Sequence, residues 1–183
     1  MWKNKTISLV ITTILIVSTL SLITIDKAEG TNGTILYVGG NGASNYTYIQ
    51  VAIDDANPGD TVFVYAGVYY ESLLIDKSIN LIGEDKKDTI IDANGLDGVE
   101  ISADWVTLSC FTIQNGLNKN GIVLSEYSSN NTIIDNIITN SNHGIDLDSS
   151  NNNNLISDNA ITNNNYYGIH LSHSSNNIIM DNT

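Results

Sequence analysis

The sequence predicts an all-β protein, a single-stranded parallel β-helix (solenoid) with an N-terminal amphipathic capping helix. Three observations predict it. A phrase of about 23 residues recurs through the second half of the chain, apolar residues within it alternate at period two, and Asn-rich runs separate the alternating stretches. Gly98, Gly121, Gly144 and Gly168 open the phrases at spacings of 23, 23 and 24. Behind them Asn131, Asn154 and Asn177 recur every 23 residues, as do Asp135, Asp158 and Asp181. A fixed period of this length is the mark of a solenoid.

In chain order, residues 1–30 read as an export segment. Lys3 and Lys5 precede an uncharged stretch, Ile7 to Ile25, and Ala28-Glu29-Gly30 offers small residues for cleavage. The apolar stretch is also nearly long enough to serve as an uncleaved membrane anchor. Either way the rest of the chain is expected outside the cell or on its surface, with membrane contact through this segment alone. Residues 31–60 supply a strand, Ile35–Val38, and then "YTYIQVAIDDANPGD", in which Ile49, Ala52, Ile53 and Ala56 have helical spacing. Thr47 is the expected N-cap, and Asn57-Pro58-Gly59 ends the helix. A helix in this position closes the open end of a solenoid core.

Residues 61–183 read as coils. Thr61–Tyr65 opens them, and Ser72–Ile75, Ile79–Ile82 and Thr89–Ile91 give three strands of about one turn. Val99–Ile101, Val106–Leu108 and Phe111–Ile113 give the next, followed by Ile122–Leu124, Thr132–Ile134 and Ile137–Ile138. Alternation puts Ile145 and Leu147 on one face and Asp146 and Asp148 on the other. Asn suits the corners because it tolerates left-handed backbone, and equivalent Asn side chains can pass hydrogen bonds from coil to coil. Asn131/Asn154/Asn177 and Asn140/Asn163 are the expected columns. Asp181-Asn182-Thr183 aligns with Asp158-Asn159-Ala160, so the last coil is incomplete and is expected to continue into, or stack on, further coils.

The formal net charge is −13, with seven lysines and no arginine. Nucleic acid is excluded as a partner, because phosphate backbones are held by clustered cations. Cys110 is the only cysteine, and the sequence reads it as a small buried apolar residue. On an exported chain Asn32, Asn45 and Asn130 lie in sequons for N-glycosylation.

"YIQVAIDDANPGDTVFVYAGVYYESLLIDKSINLIGEDKKDTIID", followed by Gly-Ile-x-Leu and Asn-rich coils, resembles the pectin-lyase-like right-handed β-helix superfamily. More closely it resembles the NosD-type, carbohydrate-binding-and-hydrolysis repeat proteins of archaeal surfaces. The resemblance covers Ile35 to Thr183. It implies right-handed winding, export, and a function in glycan binding or processing, or in copper-site maturation. Similar lyases use an Arg or Lys base with Ca2+, and no arginine is present here, while the lysines fall at corners. Similar hydrolases cluster aspartates with a His and an Arg-x-Lys, and no such set is found. Asp146 and Asp148 have the spacing of an acid/base pair, but so does any Asp-x-Asp on a solvated strand. Copper maturation calls for convergent Cys, Met and His, and Cys110 and Met180 fall in different coils.

The outward column Glu100, Val123, Asp146, His170 remains. Asp146 and His170 are one rung apart, with Asp148 and His173 near, so Glu100, Asp146, Asp148 and His170 make the expected face for a sugar or an ion, Ca2+ included. No catalytic residue is assigned and no other cofactor is expected. Trp105, Tyr127, Tyr166 and Tyr167 fall at corners or strand ends, where packing is the leading expectation and sugar stacking the second. The sequence thus favours an exported non-catalytic scaffold at the cell surface that binds a polysaccharide or surface glycan. A fragment of a polysaccharide lyase or hydrolase is the first alternative, and a NosD-like copper-maturation protein the second.

Overall fold

The computed structural model describes residues 33–148 and 151–183. The expected export segment (residues 1–30), Thr31, Asn32 and Ser149–Ser150 lie outside the described residues. Strand β1 (Ile35–Val38) is followed by helix α1 (Ile49–Asp55), and sixteen short strands then form the coils. They are β2 (Thr61–Val64), β3 (Gly67–Tyr69), β4 (Leu73–Ile75), β5 (Asn80–Gly83), β6 (Thr89–Asp92), β7 (Val99–Ile101), β8 (Thr107–Ser109) and β9 (Thr112–Gln114). After these come β10 (Ile122–Leu124), β11 (Thr132–Ile134), β12 (Ile137–Thr139), β13 (Ile145–Asp148), β14 (Leu155–Ser157), β15 (Ala160–Thr162), β16 (Ile169–Ser172) and β17 (Ile178–Met180).

All pairing is parallel: β1 pairs β2, and from β2 onward each strand pairs the one three places later. The first sheet runs β1-β2-β5-β8-β11-β14-β17, the second β3-β6-β9-β12-β15 and the third β4-β7-β10-β13-β16. The chain is a right-handed parallel β-solenoid of about six turns. In the third sheet Val99, Ile122, Ile145 and Ile169 stack directly on one another. Leu108, Ile133 and Ile156 stack in the first sheet, and Ile113, Ile138 and Ile161 in the second. Apart from Ile161 and Ile169 at the C-terminal end, these side chains are fully buried. Ile49, Ala52 and Ile53 of α1 join the same core, as expected of a cap.

Three local expectations are corrected. Thr47 does not cap α1: the N-cap is Tyr48, which makes no side-chain cap bond. Glu71 does the capping, its carboxylate accepting the N–H groups of Ile49 (2.9 Å) and Gln50 (3.0 Å) from another turn of the chain. A charged acceptor facing the positive end of the helix is the stronger partner, and a sequence window around the helix does not contain it. At the other end Lys77 Nζ donates to the carbonyls of Asp54 and Ala56.

The asparagines divide the work that one Asn per corner was expected to do. Asn130, Asn153 and Asn176 take the left-handed backbone, while the following Asn131, Asn154 and Asn177 turn inward and form the ladder. Asn154 Oδ1 accepts Asn131 N–H and Asn177 Oδ1 accepts Asn154 N–H, each at 2.8 Å. A second ladder, Asn136/Asn159/Asn182, repeats the device with Oδ1 distances of 3.0 Å. Its left-handed partners are Asp135, Asp158 and Asp181. Asn140 and Asn163 take the left-handed corner, as their spacing suggests, but the hydrogen bond expected of their column falls to the next position, where Asn164 Oδ1 accepts the Ser141 N–H at 3.0 Å.

Cys110 is not a core residue. It occupies the left-handed corner equivalent to Asp135, half-buried, with Sγ 3.8 Å from Asp135 Oδ2. Burial is the largest influence on its thiol and pushes the pKa up. The same Asp135 carboxylate takes the ammonium of Lys86.

Candidate metal-binding site

Two columns meet on the third sheet. The outward column places Glu100, Val123, Asp146 and His170 in successive rungs. The second column is the residue before each phrase-opening glycine: Asp97, Asn120, His143 and Tyr167. Its backbone is locked from coil to coil, with Gly98, Gly121 and Gly144 each donating to the carbonyl of Asn120, His143 and Tyr167 in turn, at 2.9–3.0 Å. A Cβ on Gly144 would lie 2.4 Å from Ile161 Cγ2 and 2.5 Å from the Gly168 carbonyl oxygen, so only glycine lets the coils approach here. The close approach brings His143 alongside Asp146 and His170.

Asp146 is the centre. Its Oδ1 is 2.8 Å from His170 Nδ1, its Oδ2 accepts Asn120 Nδ2 at 3.0 Å, and His143 Nδ1 stands 3.6 Å from Oδ2. The side chains of His143 and Asp146 are 17% and 18% exposed, that of His170 34%, so the cluster is a shallow recess open on the His170 side. One ligand atom from each of His143, Asp146 and His170 lies within 4.8 Å of the others, the only such metal-holding group among the described residues. His143 Nδ1 is buried and has no hydrogen-bond partner. Asn120 Oδ1 accepts the backbone N–H of His143 at 3.2 Å, holding the residue in place.

Aromatic rings wall the recess. Tyr167 stacks on His170 (centroids 5.5 Å, planes 13° apart) and lies 5.3 Å from His143, while Tyr166 meets His143 edge-on at 6.0 Å. Tyr166 and Tyr167 remain 73% and 55% exposed. Trp105 and Tyr127, expected mainly as packing residues, are instead exposed at left-handed corners.

The other candidates fall apart from the cluster. Glu100 is two rungs from Asp146, about 10 Å away, and its carboxylate takes the Ser125 hydroxyl. Asp148 pairs through its backbone with Ser172, and its side chain lies outside what is described. Asn45 donates its amide to the Gly39 carbonyl at 2.6 Å, and Asn130 is a half-buried corner residue in left-handed backbone. His143 was not among the sequence candidates. The signal was its place before Gly144, in one column with Asn120 and Tyr167.

Two imidazoles and a carboxylate suit borderline transition-metal ions, whereas Ca2+ takes six to eight oxygens. Comparisons with known proteins agree with the fold. The chain is similar to a pectin methylesterase variant solved in complex with a hexasaccharide, at 16% identity and a TM-score of 0.56, over 67% of this chain and 48% of that one. It is also similar to an alginate lyase from Paenibacillus, at 14% identity and a TM-score of 0.50, over 73% and 72%. These likenesses concern the β-helix alone, and the chain spans about half the length of the pectin methylesterase. A search of the curated proteins returned no match. The family model described as periplasmic copper-binding protein (NosD) matches residues 53–183, and the chain belongs to the NosD family.

Proposed function

We propose that this chain is an exported, non-catalytic β-helix that binds copper at His143, Asp146 and His170. The observation that carries the reading is the buried, partnerless Nδ1 of His143 beside the Asp146 carboxylate. A buried polar atom without a partner costs about 1–3 kcal/mol, and a bound cation shared with Asp146 and His170 removes that cost. The donor set therefore fits the ion named in the family's description, and that description as periplasmic supports export. His143, Asp146 and His170 would hold the ion, and Asn120 and Tyr167 would orient Asp146 and His170 around it. Copper is cargo in this reading, so the chain's task is to bind and present it.

Isothermal titration of the metal-stripped protein with CuCl2 tests the reading. One ion per chain is expected, with binding lost in the double variant His143→Ala/His170→Ala. Unchanged binding in that variant would refute the site.

Glycan binding stands as a second reading, favoured by the exposed Tyr166 and Tyr167 rings beside the same recess. Glycan-array binding abolished by Tyr166→Ala/Tyr167→Ala supports it, provided no reducing or unsaturated ends are released. Release of such ends, lost in Asp146→Asn, would instead support the polysaccharide-enzyme alternative.

A further inference from the structure

Resting on the copper reading above, we infer that the His143–Asp146–His170 site discriminates by oxidation state, holding Cu2+ and letting the ion go once it is reduced to Cu+. The donors decide it. The site offers two imidazole nitrogens and one carboxylate oxygen within 4.8 Å of one another, and no sulfur. Soft Cu+ selects thiolate and thioether, whereas Cu2+ takes imidazole and carboxylate and heads the affinity order of the divalent first-row ions.

Among the described residues, the sulfur atoms that would alter this balance belong to other faces of the solenoid. Cys110 sits at the corner between β8 and β9, its Sγ turned to Asp135. Met180 lies in β17 of the first sheet, whereas Asp146 and His170 belong to β13 and β16 of the third. Hard cations are disfavoured as well. Asn120 Oδ1 is committed to the His143 N–H, and Asn120 turns its amino group toward Asp146. Ca2+ would find one carboxylate where it needs a cage of oxygens.

Release follows from the same donors. One electron from an enediol reductant such as ascorbate converts Cu2+ to Cu+, the enediol leaving as its one-electron-oxidised radical with its proton lost to water, and the only protein bonds broken are those from the three ligand atoms to the ion. A soft-ligand acceptor then removes it. The recess is open on the His170 side, which gives such an acceptor direct access.

The experiment uses the full, metal-stripped chain. CuCl2 is titrated in air and followed by electron paramagnetic resonance, and Cu+ affinity is measured under argon by competition with bicinchoninate after ascorbate reduction. A nitrogen-coupled Cu2+ signal is expected, with Cu+ bound at least about 100-fold more weakly and with CaCl2 displacing nothing. His143→Gln and His170→Gln should each weaken Cu2+ binding at least about 10-fold with an unchanged circular dichroism spectrum. Cu+ bound as tightly as Cu2+, and lost in the same two variants, would overturn the oxidation-state inference and leave the site standing. Cu2+ affinity unchanged in both variants would remove the site and the inference together.

Discussion

At the scale of single residues, the recess depends on two side chains that supply no ligand atom of their own. Asn120 fixes Asp146 through its amino group and His143 through its carbonyl oxygen. Tyr167 lies flat against His170. Groups that orient metal ligands typically contribute 10–100-fold to affinity. Asn120→Ala and Tyr167→Leu are therefore each expected to weaken Cu2+ binding about 10-fold or more, read by titration, with thermal unfolding of the metal-free protein little changed for Tyr167→Leu. Gly144→Ala tests the close approach itself. The added methyl would sit inside contact distance of Ile161 and the Gly168 carbonyl, which costs about 1–3 kcal/mol and shifts the urea midpoint downward. The sequence showed the Asp146–His170 rung because period two and a fixed coil length place both residues on one outward line. It did not show His143, because that position lies in a corner, where no periodicity says which way a side chain turns.

At the scale of elements, the ladders and the cap carry most of the specificity. Asn159 is fully inside the coil, its amino group donating to the carbonyls of Ile133 and Ser157 and its Oδ1 accepting from Asn136. Asn159→Ala leaves those groups unpaired in a dry interior, so a loss of about 2–5 kcal/mol is expected in urea unfolding. The same mechanism explains why Asp60 matters. Its carboxylate accepts the N–H groups of Asn57 and Thr34, which hold its pKa below the usual carboxylate range. A depressed folded-state value stabilises the fold above the unfolded pKa, about 4. That contribution disappears as pH falls through the lowered folded value, and Asp60→Asn is expected to flatten acid unfolding in this window. Strand positions and their register in the repeated coils were legible in the sequence, since a 23-residue repeat forces like onto like, whereas β3 (Gly67–Tyr69), which precedes the regular repeat, was not. The Glu71 cap was not, because its partners lie more than twenty residues away and belong to the preceding turn.

At the scale of the whole molecule, binding of the proposed ion would add to stability. A ligand that binds only the folded chain adds about 2.7 kcal/mol at one hundred times its Kd. For a domain of this size that corresponds to a rise of about 5–11 °C in Tm. Differential scanning calorimetry with CuCl2 is expected to show this shift, and with CaCl2 none. The architecture also has a consequence for how such a protein changes over time. Asn131, Asn154 and Asn177 recur at identical intervals, each Oδ1 accepting a backbone N–H of the preceding coil, and so do Asn136, Asn159 and Asn182. Excising or duplicating one interval would bring each amide against a neighbour of the same kind, with no seam to repair. The gene can thus lengthen or shorten its product in whole modules, and new surface chemistry can arise on a spare module while the others keep the interior sealed.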